Sequence, residues 1–247
     1  MKKILYSVAL AACCMGTMTS CSDFLDASNK SNVTAKQSFA TKEGLNNLVN
    51  NAYQHLQNVY AAPLFTSCFS AGTDMYADAR NKMNEALNTY ETLTPENTDI
   101  KNLYTYLYSG IRAANSVSYY AQTAQVDEKT KGQLVGEARV LAAYEYYLLV
   151  NNFGGVPIMK DFLTTADTGY PKSSAADVYA YIISELEDVI SKNVLQASTA
   201  TKGGGRISQE TAKAILAKTY LSAAWDLNKQ EYFSKAAALA DEVIAGR

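Results

Sequence analysis

Histidine is nearly absent from this chain: His55 is the only one in 247 residues. A Ser–His–Asp or Cys–His catalytic arrangement would have to be built on it. It sits in a helical pattern with no nucleophile motif nearby, so it reads as a histidine on a helix surface. The ligand count is also too low for a zinc site of the usual His and Cys type. Cysteine is scarce as well. Of the four, Cys13 and Cys14 fall in an apolar leader and Cys21 at its end, which leaves Cys68 without an internal disulfide partner in the mature chain. Stability must therefore come from packing. A basic excess is missing too. Beyond residue 20 the chain carries 20 Lys and Arg against 24 Asp and Glu, a formal charge of −4, so no nucleic-acid partner is implied. No cofactor motif is present: Gly203-Gly204-Gly205-Arg206 is not followed by the Gly-Lys-Ser or Gly-Lys-Thr of a phosphate cradle. Segments with the period-two alternation of a strand are lacking throughout.

What the chain does have begins at residue 1. Lys2 and Lys3 precede an apolar stretch from Ile4 to about Met18, a basic n-region and a short h-region. Roughly 15 residues are too few to span a bilayer as a helix, which takes about 20. Residues 1–20 therefore read as a signal peptide. Met18-Thr19-Ser20-Cys21 resembles the lipobox that signal peptidase II cuts before the cysteine, making Cys21 the lipidated first residue and residues 21–40 a lipid-anchored tether to the membrane. Several acyl chains on one residue anchor stably, since each buried methylene adds about 0.8 kcal/mol.

Residues 41–247 carry helical periodicity. Leu45, Leu48, Val49, Ala52, Leu56 and Val59 predict a helix over Thr41–Tyr60. A second begins after Pro95 and ends near Thr123. A third runs from about Asp127 to Phe153 on Leu134, Ala138, Leu141 and Leu148, with Gly154 and Gly155 as a left-handed cap and Pro157 preventing resumption. Ser174-Ala175-Ala176-Asp177 opens a fourth as an acidic capping box. Ser208 caps a fifth, and a sixth follows on Phe233, Ala236, Ala240, Val243 and Ile244. Between Pro63 and Asn97 no periodicity is sustained, and loops this long are usually functional or disordered. The pairs Glu185 with Asp188 and Glu187 with Asp188 read as a solvated helix face rather than as the acid pair of a glycosidase. The fold class is all-α, antiparallel helix pairs with long connecting loops.

Leu216, Ala217 and Tyr220, with Phe233, Ala236 and Ala240, fall where a tetratricopeptide pair carries its small and aromatic residues. Glu137-Ala138, Leu141, Ala143 and Tyr144 look like a second such pair whose partner helix follows an insertion. The whole run from Gly136 through Tyr144-Glu145-Tyr146-Tyr147 to Phe153-Gly154-Gly155-Val156-Pro157 is similar to the signature helix of the SusD/RagB family, outer-membrane nutrient-binding lipoproteins of Bacteroidota. Ala142 departs from it, standing where many members carry arginine. Gly205-Arg206-Ile207-Ser208 and Cys21-Ser22-Asp23-Phe24-Leu25-Asp26 also resemble the family, the latter its acidic surface-export signal. The resemblance implies a tetratricopeptide-like scaffold at the cell surface, no catalysis, an oligosaccharide or peptide ligand, and a SusC-like TonB-dependent transporter as partner. Complete members run well beyond this length, so residues 41–247 are expected to be the N-terminal part of the architecture, a fragment or a truncated product. An adaptor lipoprotein that holds another protein with its helix pairs is the alternative.

By the same resemblance, Thr73-Asp74-Met75-Tyr76-Ala77-Asp78-Ala79-Arg80-Asn81 lies just before a ligand-contacting loop, although the tryptophans common there are absent. A sugar offers a C–H face for stacking and hydroxyls for carboxylates, amides and guanidinium groups. Asp74, Tyr76, Asp78, Arg80 and Asn81 are accordingly the candidate ligand residues. The competing reading has Asp74 and Asp78 capping a turn while Tyr76 packs inward. A calcium loop is disfavoured, because Tyr76 takes a position that needs an oxygen ligand and no glycine follows Asp78.

Overall fold

The structure, a computed structural model, describes residues 34–61, 64–76, 85–165, 169–198 and 205–246. Cys21 and the leader lie outside them, as do Asp78, Arg80, Asn81, Gly203 and Gly204. Contacts divide the chain after Gln37 into two compact units. One helical turn, Ala35–Ser38 (α1), precedes the main body. That body holds α2 (Lys42–Tyr60), α3 (Leu64–Phe69), α4 (Glu85–Thr89), α5 (Thr98–Ala121), α6 (Glu128–Phe153), α7 (Ala175–Lys192), α8 (Gln209–Asp226) and α9 (Glu231–Ala245). Among the described residues there is no strand. The stretch expected to be irregular is partly helical: it carries α3 and α4, each too short for a periodic pattern to register.

Helix starts follow from side chains that occupy free backbone N–H groups. Thr41 accepts from Gly44 N–H at 3.1 Å, Asp127 from Thr130 at 2.9 Å and Ser208 from Thr211 at 3.1 Å. Ser174 and Asp177 complete the capping box reciprocally. Gly154 ends α6 with φ 69° but ψ −131°, so its positive φ leads out into extended chain and not into the left-handed helical well expected of it. Gly155 then passes so close to the Ser173 carbonyl that a Cβ would overlap it. The exit strap is pinned by Tyr108, which donates to the Pro157 carbonyl at 2.7 Å, and by Tyr146, whose hydroxyl accepts from Met159 N–H at 2.7 Å.

The helices pack as successive antiparallel pairs, α2 with α5, α6 with α7 and α8 with α9, joined by α5 on α6 and α7 on α8. The central helix α6 touches α2, α5, α7 and α8. It therefore buries residues around most of its circumference, Leu141 and Leu148 among them. One buried leucine contributes about 1.5–3 kcal/mol, so this helix holds the stack together. At the far end the pattern fails to find a cover. Only Ala236 of α9 is buried, while Ile244 is 67% exposed and Phe233 leans on Trp225 at 5.1 Å. The apolar stripe read for the sixth helix is real, but most of it lines an open groove with α8.

Two buried carboxylates interrupt this core. Glu137 is fully buried and meets Arg206 Nε at 2.7 Å, the Tyr53 hydroxyl at 3.1 Å and Gln133 Nε2 at 3.2 Å. Arg206 also donates to Asn50 at 3.0 Å, and the Tyr53 hydroxyl accepts from Ile207 N–H at 2.8 Å. Burial and the neighbouring Glu137 charge push the Tyr53 phenol well up, so it stays a neutral donor. Three segments far apart in sequence are thus tied at one anion. Glu145, also fully buried, has neither oxygen in a hydrogen bond. Its carboxyl fits only because position 110 on α5 is glycine, where a Cβ would overlap it.

Candidate functional site

The candidate ligand segment begins directly after α3. Its root is fixed. Ala71 is buried, Gly72 has φ 75°, and a Cβ there would overlap the Tyr90 hydroxyl. Thr73 donates to the Ser70 carbonyl at 2.8 Å and pairs in a single bridge with Tyr76. Asp74, Met75 and Tyr76 stand exposed at the tip, Tyr76 by 39% and Met75 by 89%. Tyr76 does not pack inward, and the capping of a turn by Asp74 and Asp78 falls on residues outside those described. Asp78, Arg80 and Asn81 lie outside the described residues.

A row of rings joins α2, α3 and α6. Phe65 and Phe69 of α3 stack at 5.3 Å, and Tyr60 at the end of α2 lies 5.4 Å from Phe65. The Tyr60 and Tyr144 hydroxyls are hydrogen bonded, and Tyr144 stacks on Tyr147 at 6.0 Å. Lys218 of α8 lies over the Tyr147 ring at 5.7 Å. Tyr60 and Phe65 are 41% and 37% exposed. The available signal was the spacing of Tyr144 and Tyr147, three apart on one helix face, a pair that need not both point inward.

The other residues singled out in the sequence sort differently. Cys68 is half-buried and unpaired by any disulfide, its thiol pushed up to about 11 by burial and by nearby Asp99, so it is no nucleophile at neutral pH. His55 is half-buried and not on the surface. Its Nδ1 is buried without a hydrogen-bond partner, and burial lowers its pKa. The acids of α7 do not form a freely solvated face either. Arg139 donates to Glu185 at 2.7 Å and to Asp188 at 2.5 Å, while Tyr220 donates to Glu187 at 2.5 Å. Lys192 and Arg139 hold the Asp188 carboxyl below its usual range. Three acids fastened to partners on α6 and α8 serve as inter-helix ties.

The stacked helix pairs define a helical scaffold of tetratricopeptide type. Residues 23–221 match the SusD-like family described as starch-binding and associating with the outer membrane, and the chain belongs to that family. It is 28% identical over 190 residues to SusD-like protein P38 of Formosa agariphila, covering 75% of this chain and 36% of that one. A SusD-like protein of Bacteroides ovatus is 28% identical over 134 residues, 53% of this chain and 24% of the relative. Surface glycan-binding protein A from Bacteroides uniformis superposes with a TM-score of 0.69 at 27% identity, over 82% of this chain and 46% of that one. The chain thus spans about a third or less of the curated relatives it matches and under half of this solved structure. No helix among the described residues is long and apolar enough to cross a membrane.

Proposed function

We propose that this chain is a non-catalytic, surface-exposed lipoprotein that captures an oligosaccharide and delivers it to a SusC-like TonB-dependent transporter in the outer membrane. The observation that carries the reading is the row of rings Tyr144, Tyr60 and Phe65, of which Tyr60 and Phe65 are exposed, together with the exposed Tyr76. Ring faces stack on the C–H faces of sugars, and the acids, guanidinium and amide of residues 74–81 supply groups for hydroxyls. Family membership supports the same ligand class. Binding without turnover is supported by the α7 acids, which are tied to Arg139 and Tyr220 instead of facing each other across an open cleft.

Anchoring by Cys21 is tested by metabolic labelling with a palmitate analogue. The wild-type chain takes up label and Cys21→Ala does not; label retained by the variant refutes the anchor. For the ligand surface, calorimetric titration with a panel of oligosaccharides and peptides identifies what binds. Tyr76→Ala, Asp74→Ala and Arg80→Ala are each expected to weaken binding of that ligand by about 1–3 kcal/mol. The melting temperature should stay within a degree or two of wild type, because exposed loop residues carry little of the core. Variants that bind like wild type remove the loop from the site.

A further inference from the structure

A cleft of about 300 Å³ lies away from the loop, between α2 and α5, with Phe162 of the strap as part of its wall. Its apolar side is aromatic. Phe39 and Tyr120 sit 4.8 Å apart at 57°, and Tyr120 and Phe162 5.9 Å apart at 51°, so the rings are tilted against one another and make a curved wall. Its polar side is formed by Asn51 and His55 of α2 and Arg112 of α5. Arg112 is exposed, lies 5.4 Å over the Phe162 ring and forms no ion pair among the described residues. The His55 ring lines the cleft while its Nδ1 is buried and unpartnered.

These groups constrain what could complete them. A guanidinium only donates, a neutral imidazole nitrogen accepts or donates according to tautomer, and an amide does both. A hydroxyl, donor and acceptor at once, can satisfy all three. A carboxylate or phosphate would suit Arg112 but offers no proton to the Asn51 amide oxygen, a cation would be repelled by Arg112, and an alkyl ligand would leave every polar group unpaired. The aromatic wall adds a surface for an apolar ring face. A space at the small end of ligand pockets suits one ring or the end of a short chain.

We propose that this cleft is a binding site for a neutral saccharide ring, separate from the Asp74–Asn81 loop and lined by His55, Asn51, Arg112 and the rings of Phe39, Tyr120 and Phe162. The inference rests on the cleft's own chemistry and stands whether or not the loop binds. Burial holds the His55 imidazole below its ordinary pKa, which keeps it neutral near pH 7 and leaves Arg112 the one cation of the lining.

The single histidine makes the test direct, because its C2 proton resonance needs no assignment. The full chain is titrated with maltose, cellobiose and laminaribiose, and with glucuronate as the charged comparison, while that resonance is followed by NMR. At least one neutral sugar is expected to move it saturably, and more strongly than glucuronate. Arg112→Met and Ser109→Trp, the second filling the cleft mouth, should weaken the response by about tenfold or more. Tyr76→Ala should leave it unchanged even where it reduces the total heat of binding, which separates the two sites. Arg112→Met, at an exposed position, decides the matter if Ser109→Trp does not fold. The proposal is overturned if no neutral sugar moves the resonance, if glucuronate moves it most, if Arg112→Met responds like wild type, or if Tyr76→Ala abolishes the shift.

Discussion

Arg206→Ala is expected to destabilise the helical body by about 3–5 kcal/mol, the cost of stranding one member of a buried ion pair. For a domain whose whole stability is about 5–15 kcal/mol this lowers the melting temperature by many degrees. The reason is an asymmetry of exposure. Glu137 has no accessible surface, whereas the Arg206 side chain is 25% exposed. Removing the arginine leaves an anion in the core with only Tyr53 and Gln133 as donors. Removing the anion leaves a cation on a long stem that can turn toward water, and Asn50 and Asn46 still accept from it. Glu137→Ala should therefore cost less than Arg206→Ala, and the double variant less than the two losses added. Arg206→Lys keeps the charge but not the planar fork and should fall between. Denaturant unfolding of the four variants measures all of this. Equal losses for Arg206→Ala and Glu137→Ala would mean that exposure does not govern the pair.

That ion pair shows what a sequence can and cannot disclose. Glu137 and Arg206 belong to two separate motifs that resemble the same family, and nothing in their spacing tells that they touch. Contacts within one helix obey fixed offsets, so α2, α5, α6, α7 and α8 and the caps at Ser174 and Ser208 were legible, with the ends of α5 read about two residues wide and its Asn97 cap missed. Contacts between helices have no such offset. The salt bridges of Arg139 to α7 could not be foreseen, and its acids looked solvated for that reason. The short helices α3 and α4 escaped because five or six residues do not complete two turns. Tyrosine is the hardest case. It is apolar enough for a core stripe and polar enough for a surface, so Tyr146 at no exposure and Tyr60 at 41% are indistinguishable by periodicity. The ring row was not legible either, because α2, α3 and α6 meet there only in three dimensions.

Glu145 offers the reverse of the Arg206 result: Glu145→Met is expected to stabilise the protein at pH 7. Both carboxyl oxygens are buried with no hydrogen-bond partner, and burial raises the group's pKa well above its ordinary value. The folded protein then holds this proton at pH values where the unfolded chain, with a glutamate pKa of about 4.3, has released it. The folded state binds more protons in that window, so stability falls as pH rises, by up to about 1.4 kcal/mol per pH unit. The contribution is fully present below the unfolded pKa and lost as pH rises through the folded one. Methionine is close in length, flexible and apolar, and it meets the same Gly110 surface with no polar atom to desolvate. The variant should melt higher at pH 7, by an amount equivalent to about 1–3 kcal/mol. Its advantage should shrink toward pH 4, where the wild-type acid is protonated in both states. Gly110→Ala in the wild-type background should destabilise, because the added methyl takes the space of the carboxyl. The same change made in the Glu145→Met background should cost less, because a flexible thioether yields more easily to the methyl. The measurement is thermal unfolding of wild type and Glu145→Met from pH 4 to pH 8. A methionine variant that melts lower than wild type at pH 7, or a difference that does not change with pH, would show that the carboxyl is stabilised where it lies and that its burial is not a cost.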